Sequence, residues 1–179
     1  MPPAADELIR SGYQARREGR LTDARATFSE SVGLARAERD QQLLAGSLVG
    51  LGQIERDLKN TQSALQHYRE AVEIYRRQAD PLRLAHTIRH LADILRGDGV
   101  LESARPLYEE ALSIYRNDPE TPPLDLANAI RGFALLRGAT GEAEEAKILW
   151  QEARALYESV NVLAGVRESE AQIGLLTGE

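Results

Sequence analysis

Apolar residues recur at helical spacing over nearly the whole chain, and short polar turns interrupt them. In one such stretch Ala104, Tyr108 and Ala111 have offsets of 0, 4 and 7, which place the three side chains on one face of an α-helix. The pattern predicts eight helices and a last amphipathic segment. The first four helices are predicted at about 4–18, 21–38, 41–58 and 61–78, and the next two lie within 85–116. The last two are predicted at about 124–138 and 142–159, and the amphipathic segment at about 162–176.

The same trio of small, aromatic and small residues recurs in the other three helical pairs. The first members are separated by 40, 40 and 42 residues, so the chain repeats. A further small residue precedes each trio by twelve positions. Small residues on two helices let the axes approach closely, and the aromatic ring fills the space beside the crossing. The other trios are Ala24, Phe28, Ser31; Ala64, Tyr68, Ala71; and Ala146, Trp150, Ala153, and the preceding residues are Gly12, Gly52, Ala92 and Ala134.

The segments between paired helices are short and polar. They supply Gly or Asn near the end of one helix and polar residues able to start the next: GRLTDA (19–24), KNTQSA (59–64), GVLESA (99–104) and GEAEEA (141–146). A helical pair of this kind cannot bury its apolar faces alone and must stack on its neighbours. We therefore expect one continuous domain over 1–179, with repeats at about 4–39, 40–79, 80–118 and 122–160 and a capping helix at about 162–176.

The trio resembles that of the tetratricopeptide repeat over about residues 6–160. The period of 40–42 residues exceeds the usual 34 or so and is similar to the lengthened repeats of kinesin light chains and of stand-alone bacterial proteins. The second helices end alike, as VEIYR (72–76), LSIYR (112–116) and RALYE (154–158). The resemblance implies an all-α protein, a right-handed α-solenoid of four helix–turn–helix repeats that acts as a non-catalytic protein-interaction module.

Composition narrows the classes of function. The formal net charge of −6 argues against general nucleic-acid binding. The absence of cysteine excludes disulfides and thiolate metal sites and fits a reducing compartment. The first residues lack the apolar segment of an export signal, and no stretch approaches 18 apolar residues, so we expect a cytoplasmic protein with no membrane contact.

In the tetratricopeptide family the first helix of each pair lines a concave groove that holds partner segments. By this resemblance the groove here is apolar toward the N-terminus, and polar and basic in the C-terminal half. Gly50 and Gly132 are expected to leave gaps where a partner backbone comes close. The partner-binding residues implied are Ile9, Tyr13, Val49, Gln53, His86, Arg89, His90, Asp93, Asn128 and Arg131.

Arg89 and Arg131 occupy equivalent positions of adjacent repeats. Guanidinium groups pair with carboxylates through two hydrogen bonds, so these residues suit a protein or peptide partner of acidic character. The alternative is that both are solvated, or that they pair with Asp93 or Asp125. Arg16, Arg56 and Arg96 also repeat, in the last turn of their helices, where a cation stabilises the helix dipole.

Some family members grip the C-terminal carboxylate of chaperones with Lys, Asn and Arg. None of the corresponding residues matches that clamp, so the resemblance does not extend to chaperone tails. The residues are Ile9, Tyr13, Gly50, His86 and His90.

Two alternatives to the interaction module remain. The first is a scaffold that associates with further copies of itself. The second is a metal-binding sensor or enzyme that uses His86, His90 and Asp93, whose offsets of 0, 4 and 7 share one helix face. No HExxH, GxSxG or phosphate-loop motif occurs, so the sequence predicts neither catalysis nor a cofactor.

Overall fold

A computed structural model describes residues 5–178, and the structured part of these residues is entirely α-helical. The observed bounds lie within about two residues of the predicted ones, except that α5 begins four residues before the predicted stretch 85–116. The helices are α1 (Ala5–Arg17), α2 (Leu21–Glu38), α3 (Gln41–Asp57), α4 (Thr61–Gln78), α5 (Pro81–Gly97), α6 (Leu101–Asn117), α7 (Pro123–Ala139), α8 (Ala143–Ser159) and α9 (Leu163–Thr177).

The turn inside each repeat has the same backbone hydrogen bonds in all four repeats. Residue 20 donates its N–H to the carbonyl of residue 15, at 2.9 Å, and the preceding N–H returns to residue 16, at 3.0 Å. The equivalent pairs of hydrogen bonds in the other three repeats are donated by residues 60, 100 and 142 and by the residue before each of them. This pair of bonds is the Schellman ending of a helix, and it needs one residue with positive φ.

The residue at positive φ is Gly19, Gly99 or Gly141 in three repeats and Lys59 in the other. Asn60, the asparagine of that segment, therefore follows the residue at positive φ. The residues that precede α2, α4, α6 and α8 make no side-chain capping bond either; they are Arg20, Asn60, Val100 and Glu142. The Schellman turn reverses the chain by itself, which leaves those side chains free for other contacts.

The repeated trio forms the core, as predicted. All twelve members are at most 1% exposed, and Trp150 is among them. The small residues of the first helices lie against these rings. A Cβ atom built on Gly12 would approach Phe28 to 2.7 Å, and one built on Gly52 would approach Tyr68 to 3.0 Å. Close helix crossing thus depends on the missing side chains.

The chain divides into two compact units, with the boundary inside α5 after Thr87. The first unit holds α1 to α4 and the beginning of α5. The second holds the rest of α5 and α6 to α9. The expectation of one continuous domain stays a prediction.

Candidate partner-binding site

The predicted apolar residues of the first unit lie on α1 and α3. Ile9 and Tyr13 are half-buried, whereas Val49 is buried. The Tyr13 ring packs edge-on against Phe28, with centroids 5.1 Å apart, and burial raises the pKa of the Tyr13 hydroxyl. An open depression of about 510 Å³ runs along α1 and includes Tyr13 and Arg10. The accessible members of these predicted apolar residues are therefore on α1.

Gln53 belongs to a hydrogen-bonded junction between α1 and α3. It is buried, and its Oε1 accepts a bond of 2.9 Å from Arg16, whose Nε also donates to Asp57 at 2.7 Å. In the second unit Arg96 similarly donates to the hydroxyl of Tyr108, at 3.2 Å. The structural interpretation of these arginines is supported, but sequence reasoning missed their contacts on neighbouring helices.

The second unit gathers most of the predicted polar residues. Arg89 is 8% exposed; its Nη1 donates to Asp93 at 2.9 Å, and its Nη2 lies 2.9 Å from Nε2 of His90. Asp93 also accepts from the Tyr108 hydroxyl at 2.6 Å. The alternative in which Arg89 pairs with Asp93 is thus confirmed, and the alternative in which Arg89 is solvated is wrong.

The Arg89 network also includes the buried hydroxyl of Tyr115, to which the Arg89 guanidinium is hydrogen-bonded. Arg89 lies close enough to Tyr115 to act on its hydroxyl. Burial raises the pKa of Tyr115, and the Arg89 charge opposes that rise. Arg89 therefore contributes positive potential from inside the fold.

Arg131 has a different partner from either predicted one. Its Nε and Nη2 donate to the two carboxylate oxygens of Glu168 on α9, each at 2.6 Å, and the side chains are 36% and 35% exposed. Beside this pair, the Tyr157 hydroxyl donates to Oδ1 of Asn128 at 2.8 Å. The pairing of Arg131 with Asp93 or Asp125 is wrong, because the acceptor comes from the capping helix.

We call Arg89, His90, Asp93, Asn128, Arg131, Tyr157 and Glu168 the second-unit polar cluster. Its charges act on one another. The pKa of the Tyr157 hydroxyl is raised mainly by burial; the charges of Arg131 and Arg89 lower it, and those of Glu168 and Asp93 raise it. The charged groups of α5, α7 and α9 are therefore near enough to form one electrostatic site.

The two glycines predicted to leave gaps do not leave them. A Cβ on Gly50 would lie 2.2 Å from the Phe28 ring, and one on Gly132 would lie 2.6 Å from Tyr108 and 2.9 Å from Oδ1 of Asp93. The side chains of the protein itself already fill both spaces. That prediction is wrong because Gly50 and Gly132 each face the second helix of the preceding repeat.

His86 is half-buried on α5. Within residues 5–178 no group of three His, Asp or Glu side chains is placed to hold a metal ion. His90 and Asp93 instead meet the guanidinium of Arg89, a cation that opposes a second cation. Over the same described residues, no helix is both long and apolar enough to cross a membrane.

The sequence matches the family model described as Tetratricopeptide repeat over residues 8–77 and 83–159. A search of curated proteins gives no match.

The solved structures that share the fold include the following three. The crystal structure of BtubC (BKLC) from P. vanneervenii has a TM-score of 0.82 at 18% sequence identity. The alignment covers 96% of this chain and 70% of the BtubC chain. Two crystal structures of nearly identical TPR-like repeats of a kinesin light chain-like protein from Podospora anserina have TM-scores of 0.75 and 0.72. Their identities are 15% and 14%, and the alignments cover 94% and 99% of this chain and 82% and 97% of theirs.

These matches confirm the predicted all-α solenoid class. Because the family model spans most of the sequence, the chain belongs to the tetratricopeptide repeat family.

Proposed function

We propose that this protein is a non-catalytic interaction module that binds an acidic peptide segment at the second-unit polar cluster. Tetratricopeptide repeat proteins are generally non-catalytic scaffolds for protein interaction, and the proposal adds a ligand class and a place. The observation that carries it is the bidentate carboxylate on Arg131. This guanidinium is accessible, and its two donors are oriented to hold a carboxylate in the fork geometry.

The charges of the cluster favour an anion only once Glu168 has left Arg131. The guanidiniums of Arg89 and Arg131 balance the carboxylates of Asp93 and Glu168. When a partner carboxylate replaces Glu168, one positive charge would otherwise be uncompensated, and the partner neutralises it. Arg131 makes the contact with the partner, whereas Arg89 is buried and its charge is compensated by Asp93.

The other predicted residues have supporting roles. Asn128 is held by the Tyr157 hydroxyl, which leaves its amide N–H₂ as the group for a partner backbone carbonyl. In the first unit Ile9 and Tyr13 offer partly accessible apolar area for a separate contact with a partner side chain. Val49 and Gln53 are buried and position their neighbours.

A peptide array tests the proposal. Each array peptide of twelve residues carries acidic side chains and is paired with a copy in which Asp and Glu become Asn and Gln. We expect the wild-type protein to retain acidic members over their amidated copies, and Arg131→Gln to lose this retention. Arg167→Gln is the matched control, because Arg167 is an exposed arginine of the same unit on α9. The proposal is contradicted if wild type retains the acidic and the amidated peptides equally. It is also contradicted if Arg131→Gln and Arg167→Gln lose the retention of acidic peptides equally.

Self-association is a second candidate, favoured by two exposed leucines on α9. Leu163 and Leu175 are 65% and 75% exposed. If they bind another copy, light scattering shows a mass that rises with concentration, and Leu175→Glu removes the rise. A constant monomer mass rejects this candidate.

A further inference from the structure

We propose that Glu168 is a built-in competitor of the partner: its carboxylate occupies Arg131 and must leave before an acidic segment binds. The inference rests on the proposed function and adds regulation of the same site by α9. The pair joins the first helix of the fourth repeat to the capping helix, 37 residues further along the chain. Glu168 thus holds the position that a partner carboxylate needs.

The N-terminal half of α9 is placed closely against α8. A Cβ atom built on Gly165 would lie 2.5 Å from the Tyr157 ring, so the helix backbone approaches that ring as only glycine allows. Next to it Ser169 is fully buried, and its hydroxyl donates to the Gly165 carbonyl at 2.8 Å. Glu168 lies between these two anchor residues, which explains how its carboxylate reaches Arg131.

The rest of α9 is weakly held. The helix buries only Gly165 and Ser169, whereas α7, the preceding first helix, buries seven residues. A Cβ built on Gly174 meets no atom within 4 Å. Elements with few buried apolar contacts open at a low free-energy cost. The ion pair of Glu168 is therefore a substantial part of what fastens this helix.

The outer face of α9 differs from that of α7 at equivalent positions. The two helices begin 40 residues apart, so Arg167 and Glu170 correspond to Ala127 and Ile130. Ala127 and Ile130 are fully buried, whereas Arg167 and Glu170 are exposed. Movement of α9 is thus not restrained by a covering helix within the described residues.

Competition gives the size of the effect. Because exposed ion pairs are weak, we expect Glu168 to occupy Arg131 about 80% of the time. The apparent affinity for an outside carboxylate is then reduced by the fraction of protein in which Arg131 is available. Removal of the Glu168 charge should therefore strengthen binding about five-fold.

The test uses fluorescein-labelled hexaglutamate as the probe and fluorescence polarisation as the readout. We expect Glu168→Gln to lower the Kd for hexaglutamate about five-fold and Glu170→Gln to leave it nearly unchanged. Glu170 is the matched control, because it is an exposed acid of the same helix with no ion pair among the described residues. In the background of Arg131→Gln, the change at Glu168 should have no effect.

Hydrogen exchange without the probe gives an independent readout. Glu168→Gln should speed exchange of α9 amides several-fold and leave α6 and α7 unchanged, whereas Glu170→Gln should change neither. Unchanged exchange in α9 overturns the proposal even if the probe binds.

The failures of the two proposals differ. If wild type binds hexaglutamate through Arg131 and Glu168→Gln gives no gain, the competitor is rejected and the proposed function stands. A gain that persists without Arg131, or that equals the gain from Glu170→Gln, also rejects it, because net charge then explains the effect. If no variant binds hexaglutamate at millimolar concentration, both are rejected.

Discussion

A single methyl group at Gly50 should destabilise the protein, although alanine favours a helix. The ring of Phe28 lies between two glycines. Its Cε2 atom is 2.7 Å from the Cβ position of Gly12 on α1, and its Cε1 atom is 2.2 Å from that of Gly50 on α3. Phe28 is fully buried, and it cannot retreat from Gly50 without moving into Gly12.

The magnitude follows from two opposing contributions. Replacing Gly by Ala inside a helix gains about 1 kcal/mol. A methyl group forced into a packed core costs about 1–3 kcal/mol, and more where neighbours cannot yield. An approach of 2.2 Å to a trapped ring is more than 1 Å inside ordinary contact. We therefore place the packing cost above that range, at about 3–4 kcal/mol. After the helix gain, Gly50→Ala should lower the free energy of unfolding by about 2–3 kcal/mol, or roughly 5–10 °C in Tm.

Gly46→Ala is the matched control, one helical turn earlier on α3. A Cβ there meets only Cδ1 of Ile9 at 3.7 Å and the Tyr75 hydroxyl at 4.0 Å, both ordinary contacts. This variant should gain about 0.5–1 kcal/mol from helix propensity alone. Urea unfolding followed by circular dichroism measures both variants. Equal stability of Gly50→Ala and wild type, or equal losses in the two variants, refutes the argument.

Three further predictions concern stability and charge. Glu55→Gln should lower the free energy of unfolding in urea by about 1–3 kcal/mol, because the 2% exposed carboxylate of Glu55 accepts from Nε of Arg25 at 2.6 Å; an unchanged urea midpoint would contradict this. Lys59→Gly should raise the free energy of unfolding by about 0.5–1 kcal/mol, because Lys59 has a φ of 67°, a conformation that glycine adopts without strain. The melting temperature should rise accordingly, and a lower Tm would contradict this prediction. Side-chain hydrogen bonds from Arg137 and Arg105 lower the pKa of the Glu142 carboxyl to about 2. The contribution of Glu142 to stability is therefore fully present above its pKa in the unfolded chain and is lost as the pH falls toward 2. NMR titration of the Glu142 carboxyl carbon should show that midpoint, and an ordinary midpoint near 4.5 would count against the ion pairs.

The sequence predicted most of the fold because the fold depends on local periodicity. The offsets of Ala104, Tyr108 and Ala111 locate a helix face, and their repetition locates the neighbouring helices. The same reasoning misread Gly50. The sequence places Gly50 on a first helix. Whether it faces open space or Phe28 depends on how consecutive repeats are rotated against each other, and the length of the repeat does not determine that rotation.

The site was only partly predictable, for a related reason. Equivalent positions identified Arg89 and Arg131 as a pair, yet one is buried and the other is half-exposed. Their acceptors lie at different sequence separations, four residues for Asp93 and 37 for Glu168. The near acceptor was considered from helix spacing. The distant one was not, because nothing in the pattern of the capping segment shows which side chain meets α7.

NMR observation of the Arg131 guanidinium tests the central claim most directly. The Nε–H resonance of Arg131, assigned by its loss in Arg131→Gln, is followed while hexaglutamate is added. A saturable shift that is absent with hexaglutamine is the predicted result, since one carboxylate then replaces another on this side chain. If hexaglutamate binds and shifts other resonances while that of Arg131 stays constant, the second-unit polar cluster is not the partner-binding site.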